Sequence, residues 1–304
     1  QRQMCIRDRA LTEPSSNRFS FRRQRRHVWT VDWEEIGASL SGAEDRDTSH
    51  VVAQMSEMKP ADVARELYDL DPDRRIEVVR ALDDDMLADA LGELPEDDQV
   101  SLLQALDTER AADILEEMDP DDAADLVRDL PEEVAEDLLE RMDAEEARDV
   151  RNLLLYDQAT AGGMMTPEPV IMGVNNTVAD ALAKVRQEEL TPALASMIFV
   201  CRSPLDVPSG RFIGPVHIQR LLREPPSLSI AGLVDHNMEP LHPDAPTPAV
   251  SRFFATYNLV VAPVVDDAGR LVGAVTVDDL LDEMLPDDWR GCLLYTSDAA
   301  DDSL

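Results

Sequence analysis

The sequence is poor in aromatic residues, cysteine and histidine, and it contains no long apolar run. Phe, Trp and Tyr make up 4% of the 304 residues, with three Cys and five His. Cys5, Cys201 and Cys292 lack disulfide or metal-ligand spacing, and no histidine is paired as in zinc sites. No run approaches the roughly 18 to 20 apolar residues that cross a bilayer, and no signal-peptide pattern opens the chain. These absences favour a globular protein of a reducing bacterial cytoplasm and disfavour a zinc enzyme.

Positive charge is also scarce. Lys and Arg number 28 against 63 Asp and Glu, which gives a formal net charge of −35. Roughly two thirds of this excess falls within residues 59–154. So acidic a surface repels nucleic acid and anionic lipid, and its self-repulsion destabilises the fold unless cations screen it. We therefore expect no nucleic-acid partner, and we expect a cation as the natural ligand.

The acidic region is built from eight consecutive blocks of twelve residues, which run from Lys59 to Leu154 and each close on Leu or Met. In the block DTERAADILEEM the apolar residues recur at i, i+3, i+4 and i+7, which is one face of a short helix. Other blocks open with Asp119-Pro120-like pairs, where Asp can cap the helix and Pro suits its first position. The period predicts a superhelix of short helices stabilised by packing between neighbouring blocks.

A second internal repeat follows a Gly-containing connector. Two copies of a helix-strand-strand-helix pattern run in tandem, and DDAG turns the chain between the strands of the second copy. Such a duplication suggests a pseudo-twofold pair. The predicted domains are the superhelix at 53–155, the connector at 156–168, and the paired copies at 169–230 and 231–290.

The two ends are set apart from these domains. Residues 1–9 (QRQMCIRDR) and 291–304 (GCLLYTSDAADDSL) look like translated sequencing-adapter read-through, so we exclude both from the fold prediction. Residues 10–52 form a predicted linker rich in Ser and Arg. Its basic run could bind nucleic acid or a membrane surface, although a solvated linker is the simpler interpretation.

The second repeat, with TAGGMMTPEPV before it and GRLVGAVTVDDLLDEML near its end, resembles a tandem pair of CBS domains of MgtE-type magnesium transporters. The acidic array resembles the N-terminal superhelical domain of the same family, so that the resemblance covers roughly residues 53–286. It implies a cytosolic magnesium sensor that is a homodimer through its CBS domains and controls a transmembrane pore. That pore would lie in the same chain, truncated here, or in a separate protein, and the full-length protein would lie in the plasma membrane.

The resemblance also implies site residues. In the family, Mg²⁺ bridges the two domains; the matching positions are Asp89, Asp121, Asp125, Asp279 and Asp282. Asp121 and Asp125 stand at i, i+4 and share a helix face. A structural alternative is that these residues merely complement positive helix N-termini. It applies to Asp121 and Asp122 in one helix and to Asp278, Asp279 and Asp282 in the other. The family also has an acidic residue at the corner between helix and strand in the second CBS copy, where this chain has Asn258. Because Asn carries no charge, we expect the magnesium site at this corner to be weaker or absent.

CBS pairs also commonly bind adenosine nucleotides such as ATP through a Thr or Ser and an Asp three residues later. Thr276 and Asp279 match this pattern in the second copy, whereas the first copy has His217 and Arg220. The resemblance therefore allows one nucleotide site per chain, ranked below magnesium. An enzyme is disfavoured, because no P-loop, G-x-S-x-G or G-x-G-x-x-G motif is present.

Three hypotheses follow from the sequence. The chain is the magnesium-sensing part of a transporter, or a naturally soluble sensor that regulates a separate protein, or an energy-sensing CBS protein whose acidic array is a docking surface. The run LPDDW after the last predicted helix contains Pro286 and is a poor start for a helix leading to a pore, which favours the second hypothesis somewhat.

Overall fold

The computed structural model describes residues 48–187, 190–286 and 289, and the chain divides into two compact units, residues 1–57 and 58–304. In the first unit, residues 48–55 are helical. The predicted linker overlaps the described residues only at 48–52, which lie in this helix, and both predicted adapter segments lie outside the described residues. Among the helices of the described ranges, none is long and apolar enough to span a membrane.

The second unit begins with eight short helices, one for each predicted block. They are α1 Pro60–Asp69, α2 Pro72–Val79, α3 Asp84–Gly92, α4 Glu96–Gln104, α5 Thr108–Glu117, α6 Pro120–Asp129, α7 Glu132–Arg141 and α8 Ala144–Leu153. Alternate helices pack together: α1 on α3, α3 on α5, α4 on α6, α5 on α7, and α6 on α8. The predicted superhelix of short helices is confirmed.

The apolar stripe of each block supplies the core of the superhelix. In α5 the stripe residues Ala111, Ile114 and Leu115 are almost fully buried, and Met118, which follows the helix, is buried as well. Fully burying one such Leu or Ile side chain contributes about 1.5 to 3 kcal/mol, which offsets the weak intrinsic stability of a ten-residue helix.

Aspartates cap three of these helices. Asp71, Asp107 and Asp143 each accept a hydrogen bond from a backbone amide of the first turn. Asp119, which the sequence suggests as the clearest cap, accepts no such bond, although Pro120 does stand at the first position of α6. The carboxylate of Asp119 instead borders a cleft described below.

The second part of this unit has the arrangement predicted for a tandem pair of CBS domains, and each copy has a three-stranded sheet. The first copy contains β2 Ile171–Gly173, α9 Val178–Lys184, β3 Met197–Cys201, β4 Phe212–His217 and α10 Ile218–Leu221. Strand β2 pairs parallel with β3, and β3 pairs antiparallel with β4. The second copy contains α11 Thr247–Tyr257, β5 Val261–Val265, β6 Leu271–Thr276 and α12 Val277–Met284, with β5 and β6 antiparallel.

The connector is part of the second copy. It contains a two-residue strand, β1 Met165–Thr166, which pairs antiparallel with β6 and completes the second sheet. The amides of Ala161 and Gly162 donate to the carbonyls of Ala245 and Pro243, each at 2.8 Å. Helix α6 packs against β1, so that this face of the superhelix lies against the second CBS copy.

Candidate functional site

An acidic cleft lies between α6 of the superhelix and α12 of the second CBS copy. It consists of two adjoining pockets of about 520 Å³ and 410 Å³. Both pockets are bordered by Asp121 and Asp122 from α6 and by Asp279 and Asp282 from α12. The N-terminal turns of the two helices thus bring carboxylates of two domains to the same space. We call this space the acidic cleft.

Asp121 is the most deeply buried acidic residue of the cleft. Its side chain is 9% exposed, and its Oδ1 atom has no hydrogen-bond partner within the described part of the chain. Burial raises the pKa of Asp121 well above its ordinary value, and the charges of Asp279, Asp122 and Asp119 raise it further. The position of Asp121 in the first turn of α6 offsets only part of this effect. Its charged form therefore lacks a compensating cation.

Asp279, on the CBS side of the cleft, is also buried close to other carboxylates. Burial raises its pKa to about 7, opposed by hydrogen bonds from Thr276 and reinforced by the charges of Asp278 and Asp282. The hydroxyl and the amide of Thr276 both donate to Asp279 Oδ2, at 2.6 Å and 3.2 Å, which forms the capping box of α12. Asp279 therefore caps the N-terminus of α12 together with Thr276, and it also borders the cleft.

Asp125 lies one turn after Asp121 and has a cation beside it. It forms an ion pair with Arg128, whose guanidinium also donates to the carbonyl of Leu153 at 3.2 Å. Burial nevertheless raises the pKa of Asp125 to about 6, because the charge of Glu283 on α12 counteracts part of the effect of Arg128. The helix-start explanation does not apply to Asp125, which is in the second turn of α6.

Asp89 and Asp119 border the smaller pocket. Burial raises the pKa of Asp89, and the charges of Asp119 and Asp85 add to this. The pKa of Asp119 is raised by burial and by the charge of Asp278 across the cleft. The absence of a side chain at Gly92 leaves room for Asp122, since a Cβ atom there would lie 3.3 Å from Asp122 Oδ2.

The structure thus brings all five predicted metal residues to one cleft. Asp89, Asp121, Asp279 and Asp282 border the smaller pocket, and Asp125 borders the larger one with the last three. The cleft also contains carboxylates that the sequence prediction of metal residues did not include. Among them are Asp119, Asp122, Asp278 and Glu283.

Within the described residues, no three His, Cys, Asp or Glu are arranged so that they could hold one ion together. The cleft is therefore not a cage of protein ligands. It does fit a hard ion that keeps most of its water, because Mg²⁺ is commonly held by one or two carboxylates and several waters. The Oδ1 of Asp121, which has no partner among the described residues, and the raised pKa of Asp279 show that a cation would be favourable here.

The predicted nucleotide residues have structural partners. Thr276 is 5% exposed, and its hydroxyl is used in the capping box with Asp279. Asn258 lies away from the acidic cleft: it ends α11 in the left-handed conformation, with φ 52°, which Asn tolerates better than most residues. It borders a different cleft between the two CBS copies.

Comparison with known proteins agrees with this architecture. Residues 58–159 match the family model of the MgtE intracellular N domain, and residues 230–286 match that of the CBS domain. The magnesium transporter MgtE of Thermus thermophilus is 34% identical over 133 residues, 44% of this chain and 28% of that protein. MgtE of Enterococcus faecalis is 26% identical over 133 residues, 44% of this chain and 28% of that protein. The chain thus spans just over a quarter of the length of these relatives.

Two solved structures each match at least 80% of this chain. The crystal structure of the cytosolic domain of the Mg²⁺ channel MgtE in complex with ATP has 29% sequence identity and a TM-score of 0.69, and the match covers 80% of this chain and 97% of that chain. The soluble part of a magnesium transporter, at 24% identity and a TM-score of 0.72, shares the fold over 83% of this chain and 97% of that chain.

Proposed function

We propose, on the premise that this chain carries the intracellular N domain and the CBS pair of an MgtE-type magnesium transporter, that it senses magnesium and thereby gates ion transport. The observation that carries the proposal is the buried Asp121 facing Asp279 across the acidic cleft, with an Oδ1 atom that has no hydrogen-bond partner among the described residues. Like charges that face each other across a domain interface favour separation of the domains unless protonation or a cation neutralises them.

The proposed sensing mechanism depends on the carboxylates that border the acidic cleft. Asp121 on α6 would hold a hydrated divalent ion against Asp279 on α12, and Asp89, Asp125 and Asp282 would add negative charge beside it. Bound Mg²⁺ supplies positive charge and oxygen coordination that neutralise these carboxylates. Without that charge, mutual repulsion of the carboxylates favours separation of α6 from α12. The cleft therefore couples cation concentration to the packing of the superhelix on the CBS pair.

The position of the sensor in a larger assembly is part of the same proposal. Three apolar side chains of the second CBS copy, Tyr257, Leu281 and Met284, are 41%, 49% and 54% exposed. This surface supports a homodimer through the CBS domains. We place the sensor on the cytoplasmic side of a membrane, where it controls a pore in its own longer chain. In the alternative version the sensor is naturally soluble and regulates a separate partner protein.

A second ligand, an adenine nucleotide, is proposed for the pair Thr276 and Asp279. The solved relative in complex with ATP supports nucleotide binding in general. The capping box weakens the assignment to these two residues, because a ribose would compete with hydrogen bonds that begin α12. We therefore keep magnesium as the principal ligand.

The test is thermal unfolding of the chain at about pH 8, with MgCl₂ compared against NaCl at fixed ionic strength. A ligand that binds only the folded state at a hundredfold excess over its Kd stabilises it by about 2.7 kcal/mol. We expect Mg²⁺ to raise the unfolding midpoint well beyond matched sodium, and Asp121→Asn to lose most of this rise. The control variant is Asp113→Asn, which removes an exposed charge from α5 outside the cleft. Equal rises in sodium and magnesium would refute the proposal.

A further inference from the structure

The carboxylates of the acidic cleft differ in whether a positive side chain of the protein lies beside them. None of the residues that the structure places along the two pockets is a lysine, an arginine or a histidine. Asp125 is nevertheless paired with Arg128, which lies in the last turn of α6 behind the larger pocket. Burial raises the pKa of Asp125 and of Asp129, and the charge of Arg128 opposes this rise in both. No cation is among the main influences on the pKa of Asp121 or of Asp279.

Arg128 has anchors other than Asp125. Its side chain is 17% exposed, and its Nη2 atom donates to the carbonyls of Leu153 and Tyr156, at 3.2 Å and 3.5 Å. Leu153 is the last residue of α8, and Tyr156 follows it at the start of the connector. These contacts hold a planar guanidinium from two sides. The positive charge of Arg128 therefore stays beside Asp125 when another cation enters the cleft.

A fixed positive charge changes how strongly the cleft attracts a divalent ion. The ion pair already neutralises Asp125, so that a divalent ion gains little from this carboxylate. The guanidinium also repels such an ion directly, and water and salt screen this repulsion only weakly because Arg128 is largely buried. A divalent ion is thus directed to Asp121 and Asp279, and it binds there against the repulsion of Arg128.

We propose that Arg128 is an internal counter-ion of the acidic cleft, which weakens magnesium binding and so sets the concentration at which the sensor responds. This inference rests on the proposed function, because it concerns the ion that the cleft would bind. Arg128 is a positioning residue, which directs the ion by its charge without touching it. A purely structural role, in which Arg128 only joins α6 to the end of α8, would affect stability and leave the magnesium affinity unchanged.

Isothermal titration of the whole chain with MgCl₂, at about pH 8 and fixed ionic strength, measures the effect as a change in Kd. We expect Arg128→Gln to lower the Kd by about tenfold, because a repelling charge is removed and Asp125 becomes available. Arg128→Lys retains the charge and should retain the Kd within about twofold.

A double-mutant cycle with Asp125 tests whether the two charges act as a pair. Asp125→Asn leaves Arg128 without its counter-charge, so this variant should bind magnesium more weakly than the unaltered chain. The double variant Asp125→Asn/Arg128→Gln should bind about as the unaltered chain does, because a neutral pair replaces an ion pair. This comparison does not need Arg128→Gln to fold on its own.

The matched control is Arg110→Gln. Arg110 pairs with Asp84 at 2.8 Å and donates to the carbonyls of Arg80 and Leu82, at 2.8 Å and 2.6 Å. Neither Arg110 nor Asp84 borders the acidic cleft. The control removes the same charge and the same kind of contacts, and its Kd for magnesium should equal that of the unaltered chain.

The outcomes separate this inference from the proposed function. An unchanged or higher Kd in Arg128→Gln would overturn the inference and leave magnesium sensing intact. An equal gain of affinity in Arg128→Lys or in Arg110→Gln would also overturn it, because the charge at this position would not be the cause. Equal binding by Asp125→Asn and the double variant would do the same. No magnesium binding by the unaltered chain or any variant would refute the proposed function, and the inference would fall with it.

Discussion

In metal-free buffer, the chain is expected to become less stable as the pH rises from about 5 to about 8. The reason lies in the acidic cleft, where Asp121, Asp125 and Asp279 all have raised pKa values, chiefly through burial. An acid whose folded pKa is raised binds its proton more tightly in the folded state. Its contribution to stability is complete below the unfolded pKa of about 4 and is lost as the pH rises through the folded pKa.

The magnitude follows from the two numerical values. The pKa of Asp279 rises from 3.8 to about 7. At 1.36 kcal/mol per unit, the roughly two units between pH 5 and this folded pKa correspond to about 3 kcal/mol as an upper bound within the pH window. The pKa of Asp125 rises to about 6. Because its carboxylate is 47% exposed, solvent screening reduces its contribution to about 1 kcal/mol. The pKa of His217 is lowered, so its titration makes the folded state more stable as the pH rises towards about 6.5. This one group opposes the effect of three carboxylates.

The assay is thermal unfolding followed by circular dichroism in EDTA at fixed ionic strength. One kcal/mol shifts the midpoint of a domain of this size by about 2 to 4 °C, so we expect a fall of about 10 °C between pH 5 and pH 8. Asp180 and Asp266 have lowered pKa values and titrate below this window. An unfolding midpoint that is constant or rises between pH 5 and pH 8 would refute the reasoning. Magnesium added at pH 8 should raise the midpoint again.

Three substitutions test separate parts of the account. Asp125→Asn should stabilise the metal-free chain at pH 8 by about 1 kcal/mol and reduce its stabilisation by magnesium, whereas Asp113→Asn, one repeat earlier, should do neither in the same melts. Thr276→Val should cost about 1 kcal/mol in urea unfolding, because the capping box of α12 is lost; an unchanged midpoint would contradict that role. Gly214→Ala should lower the thermal midpoint, because φ is 149° and a Cβ would lie 2.4 Å from Val234 Cγ1; equal stability would show that the backbone can relax.

The superhelix could be predicted from the sequence because its determinants are local and repeated. Each block carries its own turn, helix start and apolar stripe, and the structure has one helix in each block. The strand β1 could not be predicted in the same way. It is two residues long, lies in a Gly-containing connector and exists because it pairs with β6, more than a hundred residues later.

The candidate site was predicted only in part. The spacing of Asp121 and Asp125, with the family resemblance, pointed to α6 and α12, and these helices do meet. Asp119 was interpreted as a cap, whereas it borders the cleft opposite Asp278. Local sequence patterns do not predict which helix ends lie next to each other, because that depends on the tertiary structure. The pattern Thr276-x-x-Asp279 was interpreted as a nucleotide signature, although the same spacing is also that of a capping box.

The central claim is that a divalent cation joins the superhelix to the CBS pair through the acidic cleft. Small-angle X-ray scattering of the whole chain at about pH 8 tests it most directly, with magnesium titrated at fixed ionic strength. We predict that the radius of gyration falls as magnesium is added, that sodium has no such effect, and that Asp121→Asn abolishes the magnesium-specific change. A radius of gyration that responds equally to sodium and magnesium, or that falls unchanged in Asp121→Asn, would contradict the account.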